Sequence, residues 1–277
     1  MSSGAQAQML PCGRRLHLHH GPIDLIIEAT GPQAAACYAS ATRRFETVLA
    51  GLAEELPALR SPLRAGSKFN DPVARRMQQA VAPHCGVFVT PMAAVAGAVA
   101  DAVLAAMVTA HAPAKAYVNN GGDVAFHLTQ DHRMQAAGPA GPICISAEDP
   151  VRGLATSGWR GRSHSLGIAD AVTVAAKNAA AADVAATLIA NAVDLPGHPS
   201  IARLPAHDLS PDSDLGARAV TTQVGALSTA EVETALSRGR AVAQDLCAQG
   251  LIHQAVLRLR GQTTHTAAQT IGNPTYA

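Results

Sequence analysis

The most apolar run of the chain, Val87 to Ala110, narrows what the chain can fold into. It is built largely of Ala and Val, with Pro91 and Asp101 inside it. A membrane span needs roughly 18 uncharged apolar residues. The proline and the aspartate fit instead a short buried strand at Val87-Phe88-Val89, a turn, and a core helix from Met92 to Ala110. Small side chains there let another backbone or a ligand come close. A second Ala-rich segment, Ala179 to Val193, has the same character. Two such helices need a sheet or other helices to cover them, and 277 residues provide for one large core.

The remaining pattern supplies that cover. Residues 14–20 alternate as a strand, and Gly21-Pro22 turns them into a second strand over Ile23 to Ala29. Pro32 opens a long helical pattern to about Leu56, and 57–68 holds the Pro, Ser and Gly of a loop. Asp71-Pro72 starts a helix running on from Val73 to Val81. Lys115 to Leu128 is a strand pattern interrupted at 119–123, and Ile143-Cys144-Ile145 and Ala171 to Ala175 are further strands. Residues 196–219, rich in Pro, Asp and Ser, read as a surface excursion. Ser228 and Glu231 form a capping box for a helix that ends at Gly250. Ile252 to Leu259 is the expected last strand, and 261–277 an expected flexible tail. This irregular interleaving, with hairpins, predicts an α+β fold over a doubly wound parallel sheet, in a single domain spanning 1–277.

Composition excludes several functions. The formal net charge is +1 and no polybasic run occurs, so neither nucleic acid nor an anionic membrane is an expected partner. At 3%, aromatic residues are too scarce for base-stacking platforms. Five scattered cysteines, with no C-x-x-C pair, argue against a disulfide framework and structural zinc. Leu10-Pro11-Cys12 lacks the apolar stretch that a lipoprotein signal requires, so a cytoplasmic protein is expected.

Four segments could carry chemistry. In Asn119-Asn120-Gly121-Gly122-Asp123 the glycines let backbone N–H groups approach an anion, and Asp123 could hold a hydroxyl; a β-bulge or tight turn explains the same residues. Thr156-Ser157-Gly158 offers two hydroxyls and an N–H, followed by Arg160, Arg162 and His164. The arginine fork suits phosphate, but a solvated polar loop is an equal reading. Asp183 and Thr187 lie four apart on one helix face and provide two hard oxygen donors for Mg²⁺; a helix-terminal charge and an inward-packed threonine are the alternative. Asp170 and Thr173 compete for that role but sit on strand-like sequence, where residues three apart face opposite sides. His17, His19 and His20 have no adjacent carboxylate or cysteine and read as a solvated strand face.

The order of these motifs is more specific than any one of them. An Ala-rich helix, Val-Asn-x-Gly-Gly-Asp, Ala-Thr-Ser-Gly, a His-bearing loop, Val-Thr-Val and Ala-Asp-x-x-x-Thr follow one another from about Phe88 to Val193. This series resembles the ApbE family, FAD:protein FMN transferases that use Mg²⁺ to move FMN from FAD onto a Thr or Ser of a target protein, and is most similar to its uncharacterised ApbE-like branch. The resemblance implies an ApbE-like fold with a mixed or antiparallel sheet core flanked by helices. It implies a flavin-nucleotide cleft formed by Asn119, Asn120, Gly121, Gly122, Asp123, Thr156, Ser157, Gly158, Arg160 and Arg162, with His164 as the catalytic histidine. Asp183, Thr187 and the carbonyl of Ala93 or Ala94 would hold Mg²⁺. The implied cofactors are FAD and Mg²⁺, and the implied partners a flavin nucleotide and an acceptor protein; a homo-oligomer is compatible. Two departures favour a non-catalytic flavin- or nucleotide-binding accessory protein as the alternative. Ala96 stands where the family has a lysine, and His164-Ser165-Leu166-Gly167-Ile168 lacks the family's Asp-Pro.

Overall fold

The computed structural model describes residues 4–139 and 141–266. The alternation of 14–20 becomes strand β2 (Arg15–His20), flanked by β1 (Gln6–Met9) and β3 (Ile23–Thr30). Leu16, Leu18, Leu25 and Ile27 are buried on one face. Gly21 makes the β2–β3 turn with φ of +57°, a backbone conformation that costs glycine nothing. His17 is not isolated as its sequence neighbours suggest, because cross-strand pairing puts the carboxylate of Asp24 3.1 Å from its Nε2.

The long helix expected from Pro32 is three pieces: α1 (Ala34–Glu46), α2 (Val48–Glu54) and α3 (Leu56–Leu59). At the first break the Thr47 hydroxyl bonds back to the Arg44 carbonyl, a competitor for helical hydrogen bonding. At the second, Pro57 has no N–H to continue the ladder. The next helix, α4 (Pro72–Val81), begins as expected, with the Asp71 carboxylate accepting from the N–H groups of Val73 and Ala74.

Val87-Phe88-Val89 is not a strand. Val87 is exposed, Arg218 covers the Phe88 ring, and the segment leads into a 3₁₀ turn at Pro91–Ala94. Helix α5 (Val95–His111) follows. Together Pro91–His111 is long and apolar enough to cross a membrane. Here it lies inside the protein, packed on α1, α4 and the sheet, and Ala98 to Val103 are all buried.

Strands β4 (Lys115–Asn120) and β5 (Asp123–Leu128) form a hairpin whose turn is Gly121-Gly122, both at positive φ. A second hairpin, β6 (Arg133–Gly138) with β7 (Gly141–Ser146), stands apart from the main sheet. The main sheet then continues through β8 (Gly153–Ser157) and β9 (Ala171–Ala176), so Thr156 and Ser157 belong to a strand rather than a turn. Helix α6 (Ala179–Ala192) is capped by the Asn178 side chain. The expected surface excursion holds β10 (Ile201–Pro205), α7 (Ala206–Leu209) and the start of β11 (Ala219–Val224), and it buries Ile201 and Ala206. Helix α8 (Thr229–Ala248) starts on the Ser228–Glu231 capping box. The strand read at 252–259 begins at Gln254 as β12 (Gln254–Leu259), and the expected tail instead adds β13 (Gln262–His265); residues 267–277 lie outside the described residues.

The sheet order is β1-β2-β3-β4-β5-β8-β9-β12-β13, and each of these pairings is antiparallel. The fold is α+β. Because successive strand residues face opposite sides, the sheet feeds two cores. Val118, Ala125, Val172 and Val174 face the helices; Val124, Phe126, Leu154 and Ala175 pack beneath the β6–β7 hairpin. All five cysteines are free.

Candidate functional site

The helical layer meets the end of the sheet around a cavity of about 330 Å³. Ala93 comes from the 3₁₀ turn, Asp123 from the start of β5, and Ser157 from the end of β8. Arg162 and His164 come from the loop after β8, and Asp183 and Thr187 from one face of α6. Seven residues singled out in the sequence therefore line a single space.

Two close approaches build this site. Gly97, one turn into α5, lies so near the start of α6 that a Cβ there would fall 2.3 Å from the carbonyl oxygen of Ala179. That contact lets the Gly97 N–H donate to Oδ2 of Asp183 at 3.0 Å. On the opposite wall, Arg162 lies over the Gly121-Gly122 turn, with its Nη2 3.2 Å from where a Gly121 side chain would begin. Gly121 thus opens space for a guanidinium.

The electrostatics are dominated by two carboxylates. Burial, opposed by the Thr156 N–H at 3.2 Å, pushes Asp123 up to about 7. Burial and then the neighbouring Asp123 charge push Asp183 well above the usual carboxylate range, against the N–H groups of Gly97 and Ala96. Neither carboxylate has an ion-pair partner among the described residues. Also among the described residues, no three His, Cys, Asp or Glu side chains converge as a metal cluster. The oxygen donors of this cavity are instead mixed: carboxylate, hydroxyl and backbone carbonyl.

The other sequence candidates lie elsewhere. Asn120 is buried under α5, where its Nδ2 donates to the Ala96 carbonyl at 3.1 Å and ties helix to sheet. Arg160 stacks on Trp159 and sits 3.5 Å from Asp170, away from the cavity lining. Gly158 is a packing glycine, since a Cβ would meet the Asp170 carbonyl oxygen at 2.5 Å. Asn119, Gly122 and Thr156 point to the opposite face of the sheet, where they line a second cavity of about 440 Å³ between the sheet and the β6–β7 hairpin. The competing pair divides as well: Asp170 accepts from the Trp159 ring and the Arg260 N–H, while Thr173 meets Thr156, their hydroxyl oxygens 2.8 Å apart on that far face.

Sequence reasoning missed one wall. Ser210, Ser213, Asp214 and Leu215 line the first cavity, and Oδ2 of Asp214 accepts from the Thr90 hydroxyl. The polar composition of 196–219 signalled a loop but carried nothing about where it folds back.

The model of the family described as AbpE bacteria matches residues 7–265. The chain belongs to this family. Its curated relatives include UPF0280 proteins of Methanothrix thermoacetophila, 39% identical over 129 residues, and of Methanopyrus kandleri, 39% identical over 129 residues. These alignments cover 44% and 43% of this chain and 52% and 48% of the relatives, so the chain spans about half the length of the curated relatives it matches. Among solved structures, a point mutant of the flavin transferase ApbE from Vibrio cholerae is 12% identical with a TM-score of 0.48, covering 94% of this chain and 95% of that one. The apo flavinyl transferase ApbE of Pseudomonas stutzeri is 13% identical with a TM-score of 0.47, covering 95% of each.

Proposed function

We propose that this member of the AbpE bacteria family is a flavin-handling protein, and that its 330 Å³ cavity binds the pyrophosphate of FAD with Mg²⁺ and supports FMN transfer or pyrophosphate cleavage. The observation that carries this reading is the pair of buried carboxylates facing one cavity, neither with an ion-pair partner among the described residues. A divalent cation answers that charge, and the oxygen donors of Asp183, Thr187 and Ala93 are the hard ligands Mg²⁺ takes. When bound, the ion would neutralise charge developing on the pyrophosphate oxygens.

The protein's own groups divide the remaining work. Arg162 offers a planar set of donors to a phosphate at the mouth of the Gly121-Gly122 turn. It supplies a positive charge in a cavity where Ala96 leaves none. His164, on the same wall, is placed to orient an attacking hydroxyl or to take its proton. Asp123 holds the β5 end of the wall through the Thr156 N–H and keeps its second oxygen for a ligand hydroxyl.

A second reading is a flavin- or nucleotide-binding accessory protein that performs no transfer. The apolar Ala96 on the cavity wall favours it. One experiment separates the two: purified protein is incubated with FAD, Mg²⁺ and an acceptor protein, and FMN transfer and AMP are followed. Release of AMP that disappears in Asp183→Ala supports the enzyme. Unchanged turnover in that variant would rule out the metal assignment, and bound flavin without AMP would leave the accessory protein.

A further inference from the structure

A third, polar pocket lies at the start of α6 and shares no lining residue with the two cavities described above. It is about 120 Å³ in volume, between α4, the start of α6 and the turn after Val81. Arg76, His84, Asp101 and Lys177 line it. His84 is buried, with 8% residual exposure, yet its imidazole makes no hydrogen bond among the described residues. Its ring nitrogens open into the pocket, where a ligand can reach them. Arg76 and Lys177 likewise make no hydrogen bond or ion pair among the described residues.

The acidic member makes no ion pair with these groups among the described residues. Both oxygens of Asp101 are occupied by the first N–H groups of α6, Ala179 at 3.1 Å and Ala180 at 2.9 Å, while Asn178 takes the N–H of Ala181. Asp101 therefore faces the positive end of the helix, and the Arg76 charge also acts on it. That leaves three nitrogen-bearing side chains facing one space with their donors unspent. A cation would meet Arg76 and Lys177, whereas an anion would meet partners. The pocket, about 120 Å³ and open to the surface, has room for a tetrahedral oxyanion.

We propose that this pocket is an oxyanion site for inorganic phosphate, with His84 as the buried donor and Arg76 and Lys177 closing over the ligand from the surface. The site is independent of the flavin cavity and stands whether or not that reading holds.

The test uses the full chain and inorganic phosphate at constant ionic strength, with chloride as the control anion. The His84 imidazole resonance, assigned with His84→Gln, is expected to shift saturably with phosphate and not with chloride. The Arg76→Ala/Lys177→Ala double variant, altered only at exposed positions, is expected to bind at least roughly tenfold more weakly, because two charge-assisted contacts are lost. Should His84→Gln fail to fold, phosphate-dependent thermal stabilisation in wild type against the double variant provides the same comparison. An absent or non-saturating His84 shift, or equal phosphate response in the double variant, would overturn the assignment.

Discussion

Replacing Gly97 by alanine tests whether the close contact between α5 and α6 builds the site. By helix propensity alone the change should stabilise α5 by about 1 kcal/mol. The structure predicts the opposite sign. The new Cβ would sit 2.3 Å from the Ala179 carbonyl oxygen and 2.7 Å from the Ala180 nitrogen, and both are backbone atoms that no rotamer change can move. Relieving the clash means separating the two helices by about an ångström, and overpacking of that kind costs roughly 1–3 kcal/mol. The same movement stretches the 3.0 Å hydrogen bond from the Gly97 N–H to the Asp183 carboxyl, a contact worth roughly 0.5–1.5 kcal/mol. After the propensity gain of about 1 kcal/mol is subtracted, a net loss of roughly 0.5–3.5 kcal/mol remains, seen as a lower urea midpoint and a Tm lowered by up to about 14 °C. Because Asp183 moves with α6, flavin and Mg²⁺ binding should weaken in the same variant. Stability equal to or above wild type would mean the helices can part freely, and the argument that this glycine positions Asp183 would be lost.

Arg162→Ala should weaken FAD binding by roughly tenfold or more in a fluorescence titration while leaving the melting temperature nearly unchanged, since the side chain spans the cavity rather than the core. Gly121→Ala should impair both binding and stability, because φ is +65° there and the added methyl meets Arg162; a variant binding FAD normally would remove the turn from the site. Asp123 and Asp183 both have raised folded-state pKa values, so the stability they contribute is present below their unfolded values and lost as pH rises through the folded ones. Thermal melts should accordingly show Mg²⁺ stabilising the protein more at about pH 8 than at about pH 6, and an Mg²⁺ effect independent of pH would count against the carboxylate pair as its binding site. Glu231 behaves oppositely: its bond to His198, then the Ser228 contacts, pull it down from 4.5 to about 2, so its contribution is present above 4.5 and lost as pH falls towards 2; acid melts of Glu231→Gln should lack that component.

The features most legible in the sequence were those fixed by local chemistry. Asp71-Pro72, Ser228 with Glu231, and Gly250 mark helix ends because caps satisfy orphaned backbone groups within a few residues. The Gly21 and Gly121-Gly122 turns are readable because few residues adopt their backbone angles. Strands with weak patterns were not legible. β1 is exposed throughout, β10 has one buried residue, and both form only because a neighbour offers a ladder.

Within the candidate site, the residue types were readable but their directions were not. Thr156 and Ser157 are adjacent in β8, yet Ser157 faces the helical layer and Thr156 the hairpin. A strand turns successive side chains to opposite faces, and the register that decides which goes where is set by pairing with distant strands. By itself the sequence determined the order of the motifs, the α6 spacing that puts Asp183 and Thr187 on one side, and the local stops and turns. Only the tertiary structure decided that Arg162 rather than Arg160 joins them, that Asn120 is a clamp, and that Asp214 arrives from a distant loop. Those outcomes depend on contacts between segments dozens of residues apart, and no local pattern encodes such contacts.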